Sequence, residues 1–315
     1  MIRRILVTAI GGDVAHSVLK CLHRESAFIL GCDIVKYPVA LDCVDSFFIA
    51  KSATDKSYVA DILEKCKLHR ITHIIPTNEK EIQVLAKSRE LINKNNIKIL
   101  INNNQVIDTF LDKYKTCLFL RSLKIGVPNF YRIKDKLPVG KKYILKLNNS
   151  NGSKLLKIFE DELEIKDLNG FQDNELLIQE YIDSPEEEYT VGVFSNGEQI
   201  NVISFKRKLQ NGFTKFVELI EDEDIVKDAI IIARSVNLIG SINIQLRKYL
   251  GMSYIFEINP RLSGTTNFRR QLGFDDVNWW LDTIDGIKVD KFVVEYKSAI
   301  GIREMNEKFL IKVHK

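Results

Sequence analysis

No two cysteines in this chain stand at Cys-x-x-Cys spacing, no apolar run reaches the ~20 residues that span a bilayer, and no basic tract interrupts its mixed charge. The five thiols, Cys21, Cys32, Cys43, Cys66 and Cys117, are scattered and odd in number, which excludes a fully paired disulfide framework. They read as reduced core cysteines of a cytoplasmic protein. The apolar stretch from Ile5 to Ile10 is too short for a secretory leader, and Gly11-Gly12-Asp13 interrupts it. A balance of 46 basic to 42 acidic residues leaves +4, too mild to argue for nucleic acid. Glycine is also missing where a dinucleotide fingerprint would need it. Gly11-Gly12-Asp13 lacks the third glycine, so a nicotinamide site with Asp33 on a ribose is disfavoured.

What is present is ordinary for a soluble globular chain: 315 residues, 45% hydrophobic and 28% charged. That length suggests two or three domains rather than one core. In the first hundred residues short apolar runs alternate with helical patterns. Ile5 to Ile10, Phe28 to Asp33 and His73 to Pro76 read as strands; Ser17 to Leu22, Tyr58 to Cys66 and Glu79 to Asn93 read as helical. This predicts an α/β unit over 1–105 with a parallel sheet covered on both faces. Asn78 suits a helix N-cap, with Glu81 at N3 completing a capping box. Thr77 and Glu79 lie at the carboxyl end of a strand, where ligands collect in open α/β sheets.

Two strands near the C-terminal end carry a polar stripe. They read Ser241-Ile242-Asn243-Ile244-Gln245-Leu246-Arg247 and Tyr254-Ile255-Phe256-Glu257-Ile258-Asn259-Pro260-Arg261. Alternation puts Gln245 on one face with Asn243 and Arg247, and Glu257 on one face with Asn259. The Ile, Leu and Phe positions between them are expected to bury. A turn over Lys248 to Ser253 lets the strands pair antiparallel. Oxygen-bearing side chains gathered this way suit a hard divalent cation, and they equally describe an ordinary exposed sheet face.

Upstream lie further elements in order. Asp112-Lys113-Tyr114-Lys115-Thr116 opens an amphipathic stretch that ends Lys124-Ile125-Gly126-Val127-Pro128. In Tyr143-Ile144-Leu145-Lys146-Leu147, Lys146 projects opposite Leu145 and Leu147. A polar loop from Asn148 to Lys154 follows, including Ser153. Leu176 to Ile182 reads as a strand, and Glu188 to Val193 as another beyond an Asp183-Ser184-Pro185 turn.

Together these segments resemble the ATP-grasp ligases, especially the carbamoyl-phosphate-synthase-like branch. The resemblance covers nearly the whole chain. It implies a parallel α/β pre-ATP-grasp domain at 1–105, then a two-lobed α+β ATP-grasp domain at 106–315 with a lid over about 125–182. It places Lys113 and Lys146 on the nucleotide phosphates and Ser153 in the loop above them. That loop holds one glycine where the family has several, so the lid should be stiffer. Glu180, Tyr181, Ile182 and Glu188 are implied to hold adenine and ribose. Gln245, Glu257 and Asn259 would hold two Mg²⁺ ions, or Mn²⁺, with Glu257 the one carboxylate on the patch. Arg261 would stabilise the transferring phosphoryl group, and Arg207 is a second catalytic candidate. Ser263 onward would open a helix whose N-terminus meets an anionic substrate, with Arg269 and Arg270 as a carboxylate clamp.

The implied activity is ATP-dependent joining of a small-molecule carboxylate and an amine through an acyl phosphate, releasing ADP and phosphate. Two other expectations stand beside it: a synthase component that stops at an acyl or carboxy phosphate, and a catalytically impaired regulatory protein that binds ATP. A homodimer is compatible with either. No nucleic-acid or membrane partner is expected.

Overall fold

The computed structural model describes residues 2–23, 25–149, 157–160 and 171–304. Its first sheet is parallel and built from β1 (Arg3–Val7), β2 (Ala27–Asp33), β3 (Ser46–Ile49), β4 (His73–Ile75) and β5 (Lys98–Ile99), in the order β3-β2-β1-β4-β5. β3 and β5 were not apparent in the sequence: one is a half-buried edge strand, the other only two residues long. Helices α1 (Asp13–Cys21), α2 (Tyr58–Leu68), α3 (Glu79–Lys87) and α4 (Arg89–Lys94) connect the strands. The single helix expected over 79–93 is two, because Ser88 leaves helical geometry and its N–H folds back to the Leu85 carbonyl. The strand order reverses direction between β1 and β4. Their carboxyl ends, at Thr8 to Gly12 and Pro76 to Asn78, therefore open a crevice.

Two antiparallel sheets follow α5 (Asn104–Phe110) and α6 (Lys113–Ser122). The smaller orders β6 (Phe130–Tyr131), β9 (Leu176–Glu180), β7 (Lys142–Leu147) and β8 (Lys157–Glu160) side by side. Tyr143, Leu145, Phe159, Leu176 and Ile178 form its own core. The larger orders β14 (Met252–Asn259), β13 (Ile239–Tyr249), β10 (Glu188–Asn196), β11 (Ile200–Gln210), β12 (Phe213–Ile220) and β15 (Ile300–Ile302). Helix α7 (Glu223–Ser235) packs on this sheet, capped by Asp222, which accepts from the Ile225 N–H at 3.1 Å. α8 (Thr266–Arg270) and α9 (Asp276–Asp285) close the other side.

The N-terminal unit is not an independent globule. One hydrophobic cluster runs from Ile5, Val7, Val18 and Ile29 into Phe205, Phe274, Val277 and Trp280. Polar ties reinforce the seam. The Ser17 hydroxyl accepts from the Asn267 N–H at 2.8 Å, and Asn102 donates to the carbonyls of Ser241 and Pro260, each at 2.9 Å. The small sheet has a separate cluster of its own.

Candidate active site

The carboxyl ends of β1 and β4, the face of the large sheet and the edge of the small one enclose a cleft of about 980 Å³. A second hollow, of about 630 Å³, lies beside α7. Val202, Leu219, Val226 and Ile230 are among its walls, and none of the expected site residues lines it. The expected site residues gather at the first.

β13 and β14 pair in the register that brings Gln245 opposite Glu257 and Asn243 opposite Asn259. The turn is tighter than expected. Leu250 and Gly251 alone make it, both at positive φ (50° and 80°), the geometry of a two-residue hairpin. The pairing slips by one residue between Gln245 and Leu246. That β-bulge lets Phe256 and Glu257 both reach the cleft, where alternation had assigned Phe256 to the buried face. Its ring lies 5.1 Å from the Lys146 ammonium and 6.0 Å from the Arg247 guanidinium carbon.

Glu257 sits within a ring of cations. Burial alone would raise its pKa, but Lys113, Lys146, Arg261 and Arg207 outweigh that and hold the carboxyl below its ordinary value. The Lys113 ammonium is 3.5 Å away, projecting from the first turn of α6, whose cap is Asp112. Lys146 is buried on β7 and donates to the Gln179 amide oxygen at 2.8 Å. Burial, helped by neighbouring Lys113 and opposed by Glu257, brings its pKa down to about 8.

Arg261 closes the other side of Glu257 and is anchored from the N-terminal sheet. It donates to Glu79 from Nε at 3.2 Å and from Nη2 at 2.9 Å, with a further bond to the Asn259 amide oxygen at 3.2 Å. Burial raises the Glu79 pKa and Glu257 adds to that, while Arg261 opposes it. Glu79 was visible in sequence as a strand-end carboxylate, but its partner lies 182 residues away. Asn78 caps α3 as expected, accepting from the Lys80 N–H at 2.9 Å.

Glu188 is held differently. One carboxylate oxygen accepts from Arg207 at 3.0 and 2.8 Å, the other from Arg247 at 3.0 and 2.8 Å. Arg207 also reaches the Gln245 amide oxygen at 3.0 Å. Arg247, noticed earlier only as a face-mate of Gln245, bonds the Ile182 carbonyl at 2.8 Å. That carbonyl also accepts from the Ser184 N–H at 2.9 Å, so both of its lone pairs are used. The Glu180 carboxylate accepts from Lys141 at 2.8 Å and Asn129 at 2.7 Å. Residues 181–187 carry the chain from the small sheet to the large one, with Tyr181 and Ile182 lining the cleft on the way. Ser153 lies outside the described residues.

Three expectations need correction. Arg269 is fully buried, bonded to Asp276 at 2.8 Å and Thr266 at 2.9 Å, so it cannot clamp a substrate. Arg270 points to the Lys20 carbonyl, away from the cleft. The helix that was to present an anion-binding N-terminus has five residues, and the Ser263 and Thr265 hydroxyls before it bond each other at 2.8 Å. Asp33, already disfavoured as a ribose contact, closes the glycine turn, accepting from the Gly11 N–H at 2.7 Å and the Val35 N–H at 3.1 Å.

Comparison with known proteins agrees with this architecture. Residues 172–308 match the family described as ATP-grasp in the biosynthetic pathway with Ter operon, and residues 5–100 match the PylC-like N-terminal domain. No curated protein sequence matches. Among solved structures, N5-carboxyaminoimidazole synthetase from Staphylococcus aureus complexed with ADP superposes with TM-score 0.72 at 16% identity, covering 95% of this chain and 80% of that one. Biotin carboxylase from Campylobacter jejuni gives 0.69 at 18%, covering 92% and 72%. L-amino acid ligase from Bacillus licheniformis gives 0.69 at 14%, covering 90% and 74%. The fold is that of ATP-grasp proteins, with a parallel α/β unit in front of the antiparallel sheets, and residues 172–308 are similar in sequence to an ATP-grasp family.

Proposed function

We propose that this protein is an ADP-forming ligase that joins a carboxylate to an amine through an acyl phosphate. One observation carries the reading: around Glu257 at the floor of one cleft, Lys113, Lys146, Arg207, Arg247 and Arg261 face only the carboxylates of Glu257, Glu79 and Glu188. A surplus of positive charge there is unfavourable until an anion arrives, and a triphosphate tail supplies it. A carboxylate is unreactive toward amines because its leaving group would be oxide. Transfer of the γ-phosphoryl group turns that oxygen into part of a phosphate leaving group. The protein's share is alignment and charge neutralisation. Lys113 and Lys146 take the polyphosphate, and Arg261 takes the charge that develops on the transferring group. Arg207 keeps the Gln245 amide oxygen aimed at the same place. Glu180 to Ile182, with Glu188, form the nucleotide's other wall, and the small sheet serves as the lid.

The donor set suits Mg²⁺. The Glu257 carboxylate and the Gln245 and Asn259 amide oxygens are hard ligands. No group of three or more His, Cys, Asp or Glu able to hold a metal occurs among the described residues, so the remaining ligands would be phosphate oxygens and water. Bound there, Mg²⁺ would neutralise phosphate charge. The two amide oxygens now accept from Arg207 and Arg261, so loading the metal means sharing or displacing those bonds. The five cysteines are free, which supports a reducing compartment such as the cytoplasm. A homodimer is part of the same proposal.

The deciding experiment incubates the protein with MgATP and a panel of acids and amines, following ADP, AMP and phosphate. ADP release requiring both substrates supports the ligase. Release with an acid alone indicates the synthase-component alternative, and binding without release the regulatory one. AMP with pyrophosphate would overturn the mechanism.

A further inference from the structure

Beneath the floor of the cleft lies a buried arginine that packing alone does not explain. Arg269 on α8 pairs with Asp276 at 2.8 Å, and both side chains are 0% exposed. A buried ion pair at best breaks even against apolar side chains of the same volume. This one is also incomplete, because Arg269 Nε and Asp276 Oδ1 have no partner among the described residues. Room for it is made inside a strand, where glycine is unfavourable. A methyl group on Gly192 of β10 would lie 2.4 Å from Arg269 Nη1.

What the guanidinium reaches is Asn243. Its Nη1 points to the Asn243 amide oxygen at 3.4 Å, and the Thr190 hydroxyl donates to the same oxygen at 3.0 Å. A guanidinium can only donate, so the atom that faces Arg269 must be the amide oxygen. The NH₂ group is thereby turned the other way. It donates to nothing among the described residues, and it opens on the cleft that Asn243 lines.

Position along β13 indicates what that NH₂ meets. Arg247 bonds Glu188 and the Ile182 carbonyl, on the wall proposed for the nucleoside. Gln245 comes next on the stripe, and Asn243 follows it, opposite Asn259. At about 3.3 Å per residue, Asn243 lies roughly 13 Å from Arg247, past the Gln245 level. Nucleoside wall, cation ligands and Asn243 therefore succeed one another as sugar, inner phosphates and transferring group do. We propose that Arg269 is a positioning residue that turns the Asn243 NH₂ toward the transferring γ-phosphoryl group, and that Asn243 is the residue that touches it. The inference rests on the phosphoryl-transfer reading of the cleft. It adds a neutral, fixed donor to the cations already there.

The test compares binding with and without a transferring group, so it needs neither acid nor amine. Dissociation constants are measured for MgADP alone and for MgADP with aluminium fluoride, a mimic of the phosphoryl group in flight. Fluoride should tighten binding to the wild-type protein. Each variant is first shown to melt cooperatively. Asn243→Asp keeps the acceptor and removes the donor. It should bind MgADP within about 3-fold of wild type and lose roughly 10²-fold of the tightening, as when a preorganised donor is removed. Arg269→Lys keeps a charge on Asp276 but withdraws Nη1, and should lose roughly 10-fold. Ser241→Ala is the control for a structural role. It takes a 2.7 Å bond from Asp276, and should lower the melting temperature with the tightening intact. In turnover, Asn243→Asp should lower kcat and leave the KM for ATP unchanged. The proposal falls if fluoride does not tighten wild-type binding, or if Asn243→Asp keeps the tightening. It falls equally if Arg269→Lys loses no more of it than Ser241→Ala. Lost tightening in a protein that releases no ADP with any acid and amine would retain this assignment and reject the ligase instead.

Discussion

Glu188 and Glu257 flank the same strand, β13, on opposite sides, and the molecule treats them in opposite ways. Both oxygens of Glu188 are bonded to guanidinium groups, two bonds each. Glu257 feels four cations, but its nearest partner is a lysine at 3.5 Å, beyond hydrogen-bond reach. The first arrangement is complete and can only hold Arg207 and Arg247 still. The second is incomplete, and ligands can finish it. One carboxylate is saturated by its partners, and the other is not.

That contrast can be broken most severely at Glu188. Glu188→Ala strands two largely buried guanidinium groups, and loss of one partner from a buried ion pair costs about 3–5 kcal/mol. Urea unfolding should show a loss of that size. If the variant unfolds within 1 kcal/mol of wild type, by order of magnitude, Glu188 is no keystone.

Glu257→Gln should behave in reverse. It keeps shape, unfolds cooperatively and loses roughly 10²- to 10³-fold in turnover, as for other preorganised electrostatic groups. Near-normal ATP turnover with true substrates would remove Glu257 from the metal site.

Lys146 sharpens the comparison through pH. Its folded pKa of about 8 lies below the unfolded value of 10.5, so at intermediate pH the unfolded chain binds the extra proton. Folding stability therefore rises between those two values as pH increases, by an amount on the order of 3 kcal/mol from this group. Subtracting the pH profile of Lys146→Met isolates the effect in the nucleotide-free protein. A flat difference would place the ammonium in water.

The smallest effect is expected at Glu221, exposed in the acidic run before α7 and not among the residues lining the cleft. Glu221→Gln should change stability by less than about 0.5 kcal/mol and leave turnover intact. A larger loss would mean that any acidic substitution perturbs the protein.

Much of the cleft was legible from local rules. Period-two alternation placed Gln245, Glu257 and Asn259 together, and the Asn78 cap followed from helix chemistry. Phe256 was misassigned because a bulge depends on the pairing of two strands, and neither strand records it alone. Arg269 looked like a substrate clamp because an arginine in isolation reads as exposed. Asp276 makes its burial tolerable, and only packing brings the two together.

The sequence by itself determined the order of elements, the polar stripe and the types of group that chemistry here requires, since these follow from spacing along one chain. Tertiary structure decided which charges meet: Glu79 with Arg261, and Glu188 with two arginines. Those pairings join residues 19 to 182 positions apart, and the shared core sets them. An ion pair depends on distance in space, and periodicity along the chain carries no information about that.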